Sequence, residues 1–330
     1  MKRWLPLAAA GGVVAAACHD GTTPTQPRNP AAPEFLQLQG EHPHTHIMLR
    51  KPLPGRSARL KEKGSTGISY HGGPILYSTS VAAIYWSSSW IYIGGPTPGS
   101  TGAGAQDGSL VGFFLRNLAP SGTGSPYFNI NTTYFDGGGT PVQNSVTYTQ
   151  FWATPTGPTA GQIVSDAQVQ QEVITAFTSG ALTYDASTLY AVFSGPNVNL
   201  GGGFGTQYCA YHGHFSSSYG DVKYAVMPYD WSDPAGCSAI SGSGPNGDDP
   251  AGDTEVNTLA HETEETATDE DLNAWYDRRG FENADKCAWT FGTTYSSNGS
   301  LANMNLGGKD FLVQRNWVNA GSGGCLLHWP

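Results

Sequence analysis

"LAHETEETATDEDLNAWYD", Leu259 to Asp277, places one histidine and a crowd of carboxylates in a stretch with helical periodicity, and its reading decides the fold. Within "TEVNTLAHETEETA", Val256, Leu259, Ala260, Thr263 and Ala267 fall on one helical face, while His261 and Glu265 project together from roughly the opposite one. The spacing predicts a helix over Thr254–Thr268, capped by Asp253 or Thr254. His and Glu four residues apart can grip one cation from one side, and Glu262 can lean over a water that the cation polarises. That is the logic of HExxH zinc peptidases, written here as HExxE. The competing reading is the wet face of an amphipathic helix that holds no metal.

The surroundings bear on that choice. Between Lys223 and Arg278 there is no Lys or Arg, yet 13 of the chain's 26 acidic residues lie there. Their repulsion must be relieved by water, protons or cations. After a turn at Gly280, "GFENADKC" offers Glu282 and Asp285, one as a third ligand and the other as a residue that orients a ligand. Zinc is the expected cofactor, but His261, Glu265 and one of that pair make a hard donor set, for which calcium or manganese competes.

The chain has 330 residues, 44 of them Gly and 22 Pro, and is apolar enough for one sizeable domain. A net charge of −10 excludes a nucleic-acid partner, since phosphate neutralisation needs clustered Lys/Arg. Residues 1–18, "MKRWLPLAAAGGVVAAAC", have the anatomy of an export signal whose end is similar to a lipoprotein cleavage box, making Cys18 a candidate for lipidation and a surface or outer-membrane anchor. Residues 19–68, rich in Pro and Thr and then basic, are expected to be a largely disordered linker. "HPHTH" within it (His42, His44, His46) is a weak metal-binding pattern, and plain linker is the preferred reading. Cys209, Cys237, Cys287 and Cys325 remain for two disulfides in an oxidising compartment. Three pairings are open, with sequence neighbours, Cys209–Cys237 and Cys287–Cys325, favoured.

Residues 69–330 form the expected globular body. "ILYSTSVAAIYW", "WIYIGG", "TYTQFWAT", "TLYAVFSG" and "VKYAVMPY" read as strands, "GSLVGFFLRNLA" as a short helix and Ser165–Gly180 as a longer one. The mixture favours an α+β domain.

Several separated pieces resemble the EXORDIUM-like (phosphate-induced protein) family of secreted proteins: "YHGGPIL", "YAVFSGPNV", "YCAYHGH", the AHExxExxT run with "ENADKCAWTFG", and the closing "GKDFLVQRNWVNAGSGGC". The resemblance runs in order from Ser69 to Cys325, departing at "TDED" and around "PNGDDPAGD". It implies extracellular residence and a zincin-like domain, a mixed sheet with a backing helix at Ser165–Gly180 and a metal-site helix. By position it carries His261, Glu262, Glu265, Glu282 and Asp285, whereas Glu264 falls outside it and reads as solvated. His212 in "CAYHGHF" is an auxiliary candidate, as a ligand or oxyanion partner. Tyr211, Tyr219, Tyr224, Tyr229, Trp231, Trp275 and Tyr276 could line a groove for a peptide or cell-wall polymer, though core packing is the commoner use of such residues. The expected function is an exported metalloprotein, a zinc-dependent peptidase with Glu262 as general base. The alternative is a non-catalytic cell-wall or carbohydrate-binding protein with a structural calcium or no metal.

Overall fold

The computed structural model describes residues 45–52, 67–201, 203–204, 207–240, 242–247 and 249–330. The expectations for residues 1–18, Cys18, His42 and His44 lie outside them. Seven strands form one sheet: β1 (Thr45–Leu49), β2 (Thr79–Trp86), β3 (Thr101–Ala103), β4 (Val146–Ala153), β5 (Thr188–Ser194), β6 (Tyr208–Ser217) and β7 (Gly220–Met227). Their order is β1-β6-β7-β5-β2-β4-β3. The inner four, β7, β5, β2 and β4, run parallel, and antiparallel strands close both sides. With few helices, this is an α+β fold on a mixed sheet.

Parallel neighbours need crossover connections, and two helices supply them. α1 (Leu110–Leu118) lies between β3 and β4, and α2 (Asp166–Thr178) between β4 and β5. Ser109 caps α1 by accepting from the Gly112 amide, and Ser165 caps α2 in a reciprocal box with Gln168. Inner strands are apolar on both faces, as a doubly covered sheet requires. Val81, Ala83, Leu189, Ala191, Ala225 and Met227 join the core that holds α1. Ala82, Ile84, Tyr190, Val192, Tyr224 and Val226 join the core that holds α2.

A short helix α3 (Pro234–Cys237) precedes α4 (Pro250–Thr268), which carries the HExxE run. α4 begins four residues earlier than its periodicity predicts. Asp249, not Asp253 or Thr254, is the N-cap, accepting from the Gly252 amide at 3.0 Å, and Pro250 takes the first turn, where a missing N–H costs nothing. Val256, Leu259, Ala260 and Ala267 pack in the α1 core. The opposite face does not meet solvent, because α4 is wrapped by α1, β1, β6, β7 and the single-turn helices Phe128–Thr133 and Asp230–Ser232. From Ala251 to Thr268 every side chain is buried. The wet-face reading of the acidic helix therefore fails, as does the solvated reading of Glu264, whose carboxyl is buried beside Tyr127, Tyr134 and Asn131.

The helix at 166–178 backs the sheet on the face opposite α4, and α1 shares α4's side. Two further expectations change. "WIYIGG" is a turn, with Trp90 and Ile93 exposed and Ile91 and Tyr92 tucked in. The expected linker 19–68 contributes a strand, since Thr45–Leu49 is buried along the outer edge of β6. Both favoured disulfides are present, Cys209–Cys237 and Cys287–Cys325, with Cα–Cα distances of 5.4 and 5.5 Å. They point to folding in an oxidising environment. Among the described residues no helix is long and apolar enough to cross a membrane.

Candidate metal centre

Three segments bring donors to one point. α4 supplies His261, Glu262 and Glu265; the turn before and within Asp285–Cys287 supplies Glu282 and Asp285; the sheet edge supplies His46 and His212. His46 and His212 face each other across β1 and β6 in direct register, with ring centroids 5.5 Å apart. Side chains alternate along a strand, so Met48 and Ala210, two residues away, lie on the same face and join the core that holds α4. All seven side chains are buried, none above 3% exposed, so water screens little of their charge.

The distances interlock. His261 Nε2 lies 3.2 Å from Glu265 Oε1 and 3.6 Å from Asp285 Oδ1. His46 Nε2 is 2.5 Å from Asp285 Oδ2 and 3.9 Å from Glu265 Oε2, and its Nδ1 is 3.0 Å from Glu282 Oε1. His212 Nδ1 sits 3.0 Å from Glu262 Oε2 and 3.7 Å from Glu265 Oε2, while its Nε2 is 3.7 Å from Glu282 Oε2. The Asp285 amide donates to Glu265 Oε1 at 2.9 Å, tying turn to helix. The Gln314 side-chain amide donates to the Ala284 carbonyl at 2.9 Å and lies 3.0 Å from His261 Nδ1, holding the ring from behind.

The residues fit a cation. His212 Nε2, His261 Nε2, Glu262 Oε1, Glu265 Oε2 and Glu282 Oε2 are buried without a hydrogen-bond partner, which costs free energy unless something positive takes them. Donors about 2.1 Å from a common ion stand roughly 3.0–3.5 Å from one another, close to the non-bonded separations here. Without an ion the cluster must hold protons. Burial pushes the Glu262 and Glu282 carboxyls well above the usual range, with Glu265 adding repulsion to the first and Asp269 to the second. Burial pulls the His212 imidazole well below its ordinary value, helped by His46 and His261. Burial also opposes charge on His46, but Asp285 and Glu265 outweigh it and raise that ring to about 8.

Every residue expected at the site from sequence, namely His261, Glu262, Glu265, Glu282, Asp285 and His212, is in the cluster. His46, set aside with the linker, and Gln314, unread, were missed. The run "THIML" is strand-like and places His46 and Met48 on one face, but nothing local names the strand it pairs with. Of the groove aromatics, Tyr211 and Tyr224 lie in the α2 core, bonded to Asp166, and Trp275 in the α1 core, whereas Tyr229, Trp231 and Tyr276 are half-buried and Tyr219 is exposed.

Two other groupings carry no metal claim. Cys209 and Cys237 beside Asp230 are a disulfide. His214, Asp221 and Asp271 already surround a cation, Lys223, whose Nζ is 2.9 Å from Asp221 and 3.1 Å from Glu270. No protein-family description, curated protein or solved structure matches the chain.

Proposed function

We propose that the protein is an exported zinc-dependent hydrolase of the peptidase type, working from this centre in a zincin-like arrangement of helix and sheet edge. The observation that carries the reading is Glu262. Its Oε2 accepts from His212 Nδ1, and its Oε1 is held inside the cluster with no partner. A carboxylate fixed at one oxygen and free at the other is suited to take a proton from a reacting water. His261, Glu265 and Asp285 would hold zinc, with His46 and His212 beside them; three imidazoles make the set softer than sequence suggested and favour a transition ion over calcium. When bound, zinc would polarise the scissile carbonyl and ease ionisation of water. Glu262 keeps His212 in one tautomer, Gln314 aims His261, and the dry surroundings strengthen each of these contacts. Export, with Cys18 as lipid acceptor, is supported by the leader sequence and the two disulfides.

Complete burial favours a second reading, a structural metal centre in a cell-envelope binding protein, because structural sites are closed and catalytic ones keep an open position. One comparison separates them. Zinc-loaded full-length chain and Glu262→Gln are assayed on unfolded protein and on cell-wall polymer, with metal measured in both. The enzyme reading expects equal metal and a loss of hydrolysis of roughly 10²–10⁴-fold in the variant. No hydrolysis by the wild type, with metal bound, leaves the structural reading.

A further inference from the structure

Resting on the metal-centre reading above, we infer that the cluster is built for two divalent cations bridged by Glu265, not for one. Two triads within coordinating reach of one another share Glu265 and no other residue: His46, Glu265, Asp285 and His212, Glu265, Glu282. The remaining donors divide between them. His261 Nε2 sits against Glu265 Oε1 and Asp285 Oδ1 and so joins the first triad. Glu262 bonds to His212 and so supports the second.

Charge points the same way. The cluster contains four carboxylates, Glu262, Glu265, Glu282 and Asp285, and among the described residues their ion-pair partners are the imidazoles of His46, His212 and His261. Metal binding needs those imidazoles neutral. Four negative charges against one divalent ion leave two that protons must still neutralise in a site that excludes water, whereas two divalent ions leave none. Orphaned atoms are also found on both sides of the bridge: His261 Nε2 on the first, His212 Nε2 and Glu282 Oε2 on the second, with Glu265 Oε2 between. His46 completes the pattern, with Nε2 toward Asp285 of the first triad and Nδ1 on Glu282 of the second. One ring thus couples the two sets, as ligand to one and hydrogen-bond partner to the other. Imidazole nitrogen in both sets favours zinc over calcium.

The test is metal stoichiometry on the full chain, loaded with zinc and dialysed exhaustively, then measured by elemental analysis. Two equivalents are expected, falling to one in Glu282→Gln and in His212→Gln, and below one in Glu265→Ala. Manganese-loaded wild type should give an exchange-coupled paramagnetic resonance signal instead of that of isolated ions, a readout that needs no variant to fold. One equivalent with an isolated-ion signal overturns the pair and leaves the single-metal reading standing. A second equivalent that survives both Glu282→Gln and His212→Gln lies elsewhere and also overturns it. No retained metal removes the pair and the reading beneath it together.

Discussion

Glu255 shows what a buried carboxyl does on α4 outside the donor cluster. Burial raises it to about 8, against a model-peptide value near 4.5, and its neighbour Asp230 is raised well above normal by burial and by Glu255 itself. Thr258 donates to Asp230, and with both carboxyls raised the pair folds holding protons. A folded-state value above the unfolded one stabilises fully below the unfolded value, and that stabilisation is lost as pH rises through the folded one. Urea midpoints should fall between pH 4.5 and 8, and Glu255→Gln should flatten the decline. An unchanged slope in the variant would move the pH dependence to other groups. Gly252 is a second residue-scale case: a Cβ there would stand 2.9 Å from Asp249 Oδ2 and 3.2 Å from Leu110 Cβ. Gly252→Ala crowds the α4 cap against α1 and should cost about 1–3 kcal/mol in chemical denaturation, despite alanine's better helix propensity.

At the scale of elements, the centre depends on two segments that are not helical, and a disulfide sits beside each. Cys209 is on β6, three residues before His212; Cys287 closes the turn that begins at Asp285. Loops of 28 and 38 residues give each bridge about 3–4 kcal/mol through restriction of the unfolded chain. Replacing Cys287 and Cys325 by Ala should lower stability by that order and weaken metal retention, read by denaturation and dialysis, because Glu282 and Asp285 lose their anchor. β1 matters similarly. His46→Ala should reduce zinc retention while His71→Ala, on an exposed ring stacked on Tyr276, should not. The helix ligands were legible because a period of 3.6 puts His261 and Glu265 together whatever surrounds them. Glu282 and Asp285 were legible as ligand types on a turn next to a cysteine. His46 was not, because its place comes from pairing across 166 residues of sequence, His46 with His212, which no local pattern records. The "WIYIGG" segment misled for a related reason: aromatic and β-branched composition favours a strand, but among the described residues no strand pairs with it.

Over the whole molecule, the acidic surplus finds its explanation in burial. A helix whose far face is as polar as that of α4 should face water; here the sheet, α1 and the short helices Phe128–Thr133 and Asp230–Ser232 enclose it. Composition showed that half the acids were gathered in one interval without Lys or Arg, and it suggested a cation. It could not show that the helix would be central, since enclosure is set by the α1 crossover, the β1 edge and the Cys287–Cys325 bridge together. If cations balance this core, they are ligands of the folded state and stabilise it by mass action. Chelation should lower the thermal midpoint of the metal-loaded chain, and acidification should release the ions as the donors protonate.

Anomalous diffraction from crystals of the metal-loaded full chain tests the central claim most directly. The account predicts peaks at the zinc or manganese edge within about 2.0–2.3 Å of Glu265 and of at least two of His46, His212 and His261. Featureless anomalous density there, with the carboxyls protonated and bonded to one another, would contradict it.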